Sequence, residues 1–197
     1  SPMVQLDKHA LRQSAHELRN QLKQIEPDAP AIVRDKFPEK LLHRFGPTVS
    51  GYLSIGSELD ISPLLDRLGE LGAEICYPRV EADDTMTFRV VTRPADFEAG
   101  PFGLTQPADH TPLANPTLVL TPLLAFDAAG NRLGYGKGHY DRALAKLKAE
   151  GRVFVCGIAF SGQEVLKVPA EATDIPLDWV VTENGSIPLF FARAGAR

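Results

Sequence analysis

The stretch Arg132-Leu133-Gly134-Tyr135-Gly136-Lys137-Gly138-His139-Tyr140-Asp141-Arg142 carries the clearest chemistry in this chain. It follows an apolar run over 117–120 and precedes a helical pattern over 140–148. Gly134, Gly136 and Gly138 let the backbone take left-handed conformations and approach a ligand without Cβ clashes. The free N–H groups and positive end of the following helix then face an anion. Lys137 adds a mobile positive charge in that cradle, as a phosphate-binding lysine does. The spacing, and the lack of Ser or Thr after the lysine, exclude a Walker A loop; the alternating glycines do not follow G-x-G-x-x-G. Alternating glycines alone also describe a flexible turn. Six polar or aromatic groups in that turn (Arg132, Lys137, His139, Tyr140, Asp141 and Arg142) are more than flexibility requires. Lys8 and Arg12 lie one helical turn apart, so both can reach one ligand; the plainer reading is a solvated basic stripe.

The elements that position these groups follow from hydrophobic spacing. Leu11, Ala15, Leu18, Leu22 and Ile25 line one face of a helix predicted over 5–25, with Lys8, Arg12, His16, Arg19 and Lys23 on another. Pro27 and Pro30 end it, and a second helix is expected over 31–45. Strands are expected over 48–53, 73–77 (stopped by Pro78), 85–91, 117–120, 152–158 and 178–182. Helices over 62–71, capped by Gly72, and 140–148 alternate with them, and 127–139 reads as a glycine-rich loop. That alternation predicts an α/β fold, a mostly parallel central sheet flanked by helices, in one domain over 1–197. Residues 1–3 read as a tag remnant and 185–197 as a tail. Segment 92–116 is rich in proline and weakly periodic; it is expected to be an ordered functional loop such as a lid, anchored by Phe97, Phe102 and Leu104.

Composition bounds the rest. The 197 residues are 44% hydrophobic and 23% charged, with net charge −4, an ordinary globular balance that excludes disorder and fibrous repeats. The mildly acidic balance gives no electrostatic reason for nucleic-acid or membrane partners. Cys76 and Cys156, the only cysteines, sit in apolar contexts and form no Cys-x-x-Cys pair, so two buried reduced thiols of a cytoplasmic protein are expected. No apolar run is long enough to span a membrane, and no signal-peptide core is present. His9, His16, His43 and His110 lack metal-ligand spacing.

Phe126-Asp127, Gly130 and the run from Arg132 to Arg142 together resemble the signature of the 5-formyltetrahydrofolate cyclo-ligase family, also called methenyltetrahydrofolate synthetases. Weaker landmarks extend the resemblance: Lys8 with Leu11-Arg12, Tyr52-Leu53-Ser54 with Glu58, Cys76-Tyr77-Pro78-Arg79, Phe102-Gly103-Leu104-Thr105-Gln106-Pro107, and Val168-Pro169, Asp174, Asp178 and Thr182-Glu183. The resemblance implies a CoA-transferase-like, Rossmann-related topology and one reaction. ATP and Mg²⁺ drive closure of 5-formyltetrahydrofolate to 5,10-methenyltetrahydrofolate, releasing ADP and phosphate. Phosphorylation of the formyl oxygen activates the carbon for attack by N10, and catalysis is mostly positioning and charge neutralisation.

By the same resemblance, Lys137 and Arg132 are catalytic, Arg132 being equally readable as a structural contact. Lys8, Arg12, Arg132, Leu133, Gly134, Tyr135, Gly136, Lys137, Gly138, His139 and Tyr140 hold the nucleotide. Leu53, Glu58, Tyr135, Gly136, Lys137, Gly138, His139 and Tyr140 border the folate. Asp141 and Asp174 take Mg²⁺, a hard cation that needs few protein oxygens beside phosphates and waters. Plainer readings stand beside these: Asp141 as a first-turn acid, Asp174 as a loop carboxylate, Glu58 as a helix N-terminal acid, Leu53 as core and Tyr140 as a helix-face aromatic. His139 stands where many relatives carry tyrosine, and Gln106 where an acidic residue is common. The protein is expected to act as a monomer on this small molecule in the cytoplasm. The alternatives are an ATP-independent enzyme on a related scaffold, such as a sugar-phosphate isomerase or CoA-transferase-like protein, and a non-catalytic folate binder.

Overall fold

Three helices open the chain in the computed structural model, which describes residues 2–189: α1 (Pro2–Ile25), α2 (Ala29–Lys36) and α3 (Glu39–Phe45). The helix expected over 31–45 is therefore two. Phe37 is extended, with ψ 124°, because the ring of Pro38 disfavours helical backbone in the residue before it. Next come β1 (Thr48–Ser50), α4 (Ser62–Glu70), β2 (Glu74–Val80) and β3 (Met86–Val90). Segment 92–116 is ordered, as expected, into a ribbon of β4 (Phe97–Ala99) and β5 (Thr105–Pro107), then a short β6 (Leu113–Ala114). Phe97 packs edge-on against Tyr77, but Phe102 is 65% exposed and anchors nothing.

The chain continues through β7 (Leu118–Thr121), the hairpin β8 (Ala125–Phe126) and β9 (Arg132–Leu133), α5 (His139–Glu150), β10 (Phe154–Ile158), β11 (Trp179–Thr182) and β12 (Gly185–Pro188). The expected tail thus begins with a strand antiparallel to β11, and 190–197 lie outside the described residues.

Eight strands form one sheet in the order β12-β11-β10-β7-β1-β2-β3-β6. The five central strands, β11 to β2, are parallel, and the antiparallel ones lie at the edges. β2 continues past Pro78, contrary to expectation. Pro78 opposes Phe88 of β3 with its nitrogen turned toward β1, which pairs only as far as Cys76, so the missing N–H breaks no ladder bond. Leu118 and Leu120 of β7 face a core with α2, α3 and α4, while Val119 faces the core under α5. Cys156 and Cys76 are free and buried in these two separate cores, as two reduced thiols should be. No helix among the described residues is long and apolar enough to cross a membrane.

Along the chain the parallel strands run β1, β2, β7, β10, β11, yet β2 lies on one side of β1 and β7 on the other. Connections after β1 and β7 therefore diverge, leaving a crevice at their carboxyl ends, where open α/β sheets bind ligands. Helix α1 reaches these ends: Arg19 bonds Leu123 beyond β7 and Ser57 beyond β1.

Candidate active site

A cavity of about 1090 Å³ opens at that crevice. Lys8, Arg12, Leu53, Glu58, Arg132, Leu133, Gly134, Tyr135, Gly136, Lys137, Gly138, His139, Tyr140, Asp141 and Asp174 all line it. Every residue proposed from sequence for the site is thus gathered in one hollow, although these residues are spread over 167 positions of the chain (8 to 174).

The loop from β9 into α5 forms one wall. Asp127 shapes its approach: its carboxylate accepts from the amides of Ala129, Asn131 and Val168 and from the Asn131 side chain. Gly136 (φ 95°) and Gly138 (φ 73°) adopt the left-handed backbone that favours glycine. Gly134 does not; smallness serves there instead, because an added Cβ would stand 3.0 Å from the Arg132 guanidinium. Gly138 is the N-cap of α5, and the first intrahelical bond runs from Arg142 N–H to Gly138 O. The amides of His139, Tyr140 and Asp141 therefore have no acceptor within the helix, a ready anion site. Lys137 is exposed, with its ammonium 4.6 Å from the Phe102 ring centre and no carboxylate in ion-pair range among the described residues.

The basic stripe of α1 is only partly solvated: Lys8 and Arg19 are buried and Arg12 half-buried, while His16 and Lys23 are exposed. Lys8 is 7% exposed and its Nζ donates to Asp174 Oδ2 at 2.7 Å. Arg12 Nε donates to Gly134 O at 2.9 Å, so the two grip different loops of one cavity. Lys23 reaches Gly56 O, and Arg19 reaches Tyr135; the sequence placed Arg19 in the stripe but gave it no role.

Both aspartates are engaged by cations. Arg132 Nη2 and the Ile175 amide donate to Asp141 Oδ1, each at 2.9 Å. Lys8 and the Glu171 amide donate to Asp174 Oδ2. Burial would push the Asp174 carboxyl up, but these donors outweigh it and hold it below the usual carboxylate range. The second oxygens, Asp141 Oδ2 and Asp174 Oδ1, keep acceptor capacity, with no hydrogen-bond partner among the described residues. Buried Arg132 Nε likewise has no acceptor. Two spare carboxylate oxygens suit a divalent ion that takes its other ligands from phosphates and water, and no cluster of three acidic or His/Cys ligands stands there instead, among the described residues. The donor set therefore fits Mg²⁺ with a nucleotide.

Glu58, in the segment after β1 and joined to the glycine loop through Tyr135, is 4% exposed. Burial raises its carboxyl above the usual range, against the pull of Tyr135 and the Ile55 amide, which donate to it at 2.5 and 2.8 Å. Leu53 is half-buried beside it, so it is not plain core. His139 departs from tyrosine with a visible partner: its Nε2 lies 2.8 Å from Asp84 Oδ1, at the tip of the β2–β3 turn. Gln106 explains its own departure. It accepts from Val80 N–H at 3.0 Å and donates to Val80 O at 3.3 Å, a pair that a carboxylate cannot make.

A family model described as the 5-formyltetrahydrofolate cyclo-ligase family matches residues 4–183. The 5-formyltetrahydrofolate cyclo-ligase of Mycolicibacterium smegmatis is 32% identical over 189 residues, covering 88% of this chain and 96% of that protein. The Escherichia coli protein of the same name is 33% identical over 143 residues, covering 70% and 78%. Among solved structures, the 5,10-methenyltetrahydrofolate synthetase of Aquifex aeolicus superposes with a TM-score of 0.74 at 30% identity, covering 92% of each chain. The Mycoplasma pneumoniae 5,10-methenyltetrahydrofolate synthetase gives 0.70 at 25% identity, covering 90% of this chain and 99% of that one.

Proposed function

Because the chain belongs to the 5-formyltetrahydrofolate cyclo-ligase family, we propose that its cavity closes 5-formyltetrahydrofolate to 5,10-methenyltetrahydrofolate with hydrolysis of ATP in the presence of Mg²⁺. The observation that carries the reading is the meeting in one hollow of an anion-binding helix start, two aspartates with spare oxygens and a buried folate-side glutamate. Bound ATP supplies the phosphoryl group that turns the formyl oxygen into a leaving group, and Mg²⁺ screens the phosphates. The amides at the start of α5 orient the phosphate tail. Lys137, exposed and with no carboxylate in ion-pair range among the described residues, neutralises the negative charge that develops on the formyl oxygen. Arg132 neutralises charge with its Nε–H, a donor that has no acceptor among the described residues. Asp141 and Asp174 offer the metal-binding oxygens, each oriented by its own cation, Arg132 for Asp141 and Lys8 for Asp174. Glu58 accepts from N–H donors of the reduced pterin, while Leu53 and the rings of Tyr135 and Tyr140 border its faces.

The test is direct. Folded protein, 5-formyltetrahydrofolate, ATP and Mg²⁺ should yield the methenyl absorbance, with one ADP per product and nothing when ATP is omitted. Absence of product from folded protein, or equal turnover without ATP, would reject the reading.

A further inference from the structure

Arg19 has no part in the chemistry above, yet it is the centre of the site's hydrogen bonding. It is 2% exposed. Its Nε donates to Ser57 Oγ at 2.9 Å, and Nη1 donates to Leu123 O at 3.0 Å and to the Tyr135 hydroxyl at 2.6 Å. Its Cζ lies 5.5 Å from the Tyr135 ring centre. Tyr135 in turn donates to Glu58 Oε2 at 2.5 Å. A guanidinium–phenol–carboxylate chain thus joins α1, the glycine loop and the segment after β1.

We propose that Arg19 is a positioning residue for the folate end of the reaction: it fixes the Tyr135 phenol, so that the glycine loop keeps one conformation and Glu58 presents an ionised, oriented carboxylate to the substrate. The inference rests on the folate reading above and names the side chain that sets that end of the cavity. A buried guanidinium requires compensating charge. Among the described residues no carboxylate lies within ion-pair distance of Arg19; its charge meets Glu58 through one phenol. A phenol that accepts from a cation and donates to an anion is polarised in both directions, and the two short bonds reflect this. Four groups face or feel Glu58 besides Tyr135: Arg19 and Lys23 of α1, and the phenols of Tyr52 and Tyr140. Both cations favour the ionised carboxylate, whereas burial opposes it. Loss of Arg19 therefore frees the loop and leaves Glu58 protonated to higher pH.

Arg19→Met, Arg19→Lys and Tyr135→Phe test this against the unaltered protein. Arg19→Met should raise KM for 5-formyltetrahydrofolate at least tenfold, leave KM for ATP within threefold, and move the acid limb of kcat/KM to higher pH. Tyr135→Phe should act in the same direction, and the double variant should be no worse than the stronger single. Arg19→Lys, which keeps the charge without the fork, should recover part of the loss. Equal changes in both KM values, or an unmoved acid limb, would overturn the role. Backbone hydrogen exchange gives a readout free of turnover: amides of Tyr135 to Gly138 should exchange faster in Arg19→Met and Tyr135→Phe, with those of β7 unchanged. If Arg19→Met does not fold, Tyr135→Phe answers both questions. If the unaltered protein makes no methenyl product, the folate reading fails and the exchange result alone decides whether Arg19 sets the loop; unchanged loop exchange refutes it.

Discussion

Replacing Lys137 with alanine should separate catalysis from folding. The side chain is exposed, and its ammonium lies 4.6 Å from the Phe102 ring centre. Such an exposed cation–π contact is worth about 0.5–1 kcal/mol. For a chain of this size that lowers the melting temperature by about 1–4 °C. The bond from Arg142 to Lys137 O involves backbone only at position 137 and survives the change. Against a typical stability of about 5–15 kcal/mol, the variant remains folded. The chemical step loses far more: removing one donor aimed at developing charge costs about 10²–10³ in kcat, or roughly 2.7–4 kcal/mol. The assay is methenyl absorbance at saturating substrate, ATP and Mg²⁺, with circular dichroism melting on the same sample. A kcat within about fivefold of the unaltered enzyme would refute the assignment. So would a melting temperature so reduced that unfolding accounts for the lost activity.

Gln106→Glu should destabilise the protein by about 1–3 kcal/mol at neutral pH, because the carboxylate leaves Val80 O without a donor. Burial at this 4% exposed position should raise its folded pKa, so stability relative to glutamine should be retained below the unfolded value of about 4.3 and lost as pH rises through the folded value; melting difference curves from pH 4 to 8 check the sign. Gly138→Ala, at φ 73°, should cost about 1–2 kcal/mol, whereas Gly69→Ala, on an exposed face of α4 with nothing within 4 Å, should stabilise by up to about 1 kcal/mol. Urea midpoints of the pair should move in opposite directions. The Cys76 thiol, pushed up to about 12 by burial, and the equally buried Cys156 should resist a thiol-specific chromogenic reagent in the native protein and react, both together, in denaturant.

The fold class was legible because the central strands announce themselves: a strand buried on both faces reads as an unbroken apolar run, as Leu118-Val119-Leu120 does. The glycine loop was legible because its residue types have few other uses together. Two boundaries were misread for local reasons. The break before Pro38 follows from a rule about the preceding residue, and Pro78 stops a strand only where its nitrogen faces a partner. Phe102 looked like an anchor because aromatics usually are; only the tertiary structure shows it standing in the cavity beside Lys137.

Helix α1 marks the deeper limit. Its spacing shows that Lys8, Arg12, Arg19 and Lys23 share a face, and a basic face on a first helix is ordinarily wet. What the face meets depends on where the chain reverses between β1 and β7, some 70 residues apart, a property of strand order that no local pattern carries. Once that order is fixed, the helix lies across the open carboxyl ends of the strands, and each basic residue finds a loop carbonyl, a phenol or a carboxylate. The consequence is chemical as well as structural. Lys8 holds the Asp174 carboxyl below the usual carboxylate range and Arg132 pairs with Asp141, so the carboxylates proposed for the metal are already oriented by cations, and a helix that resembles a solvated surface element becomes the member that assembles the site.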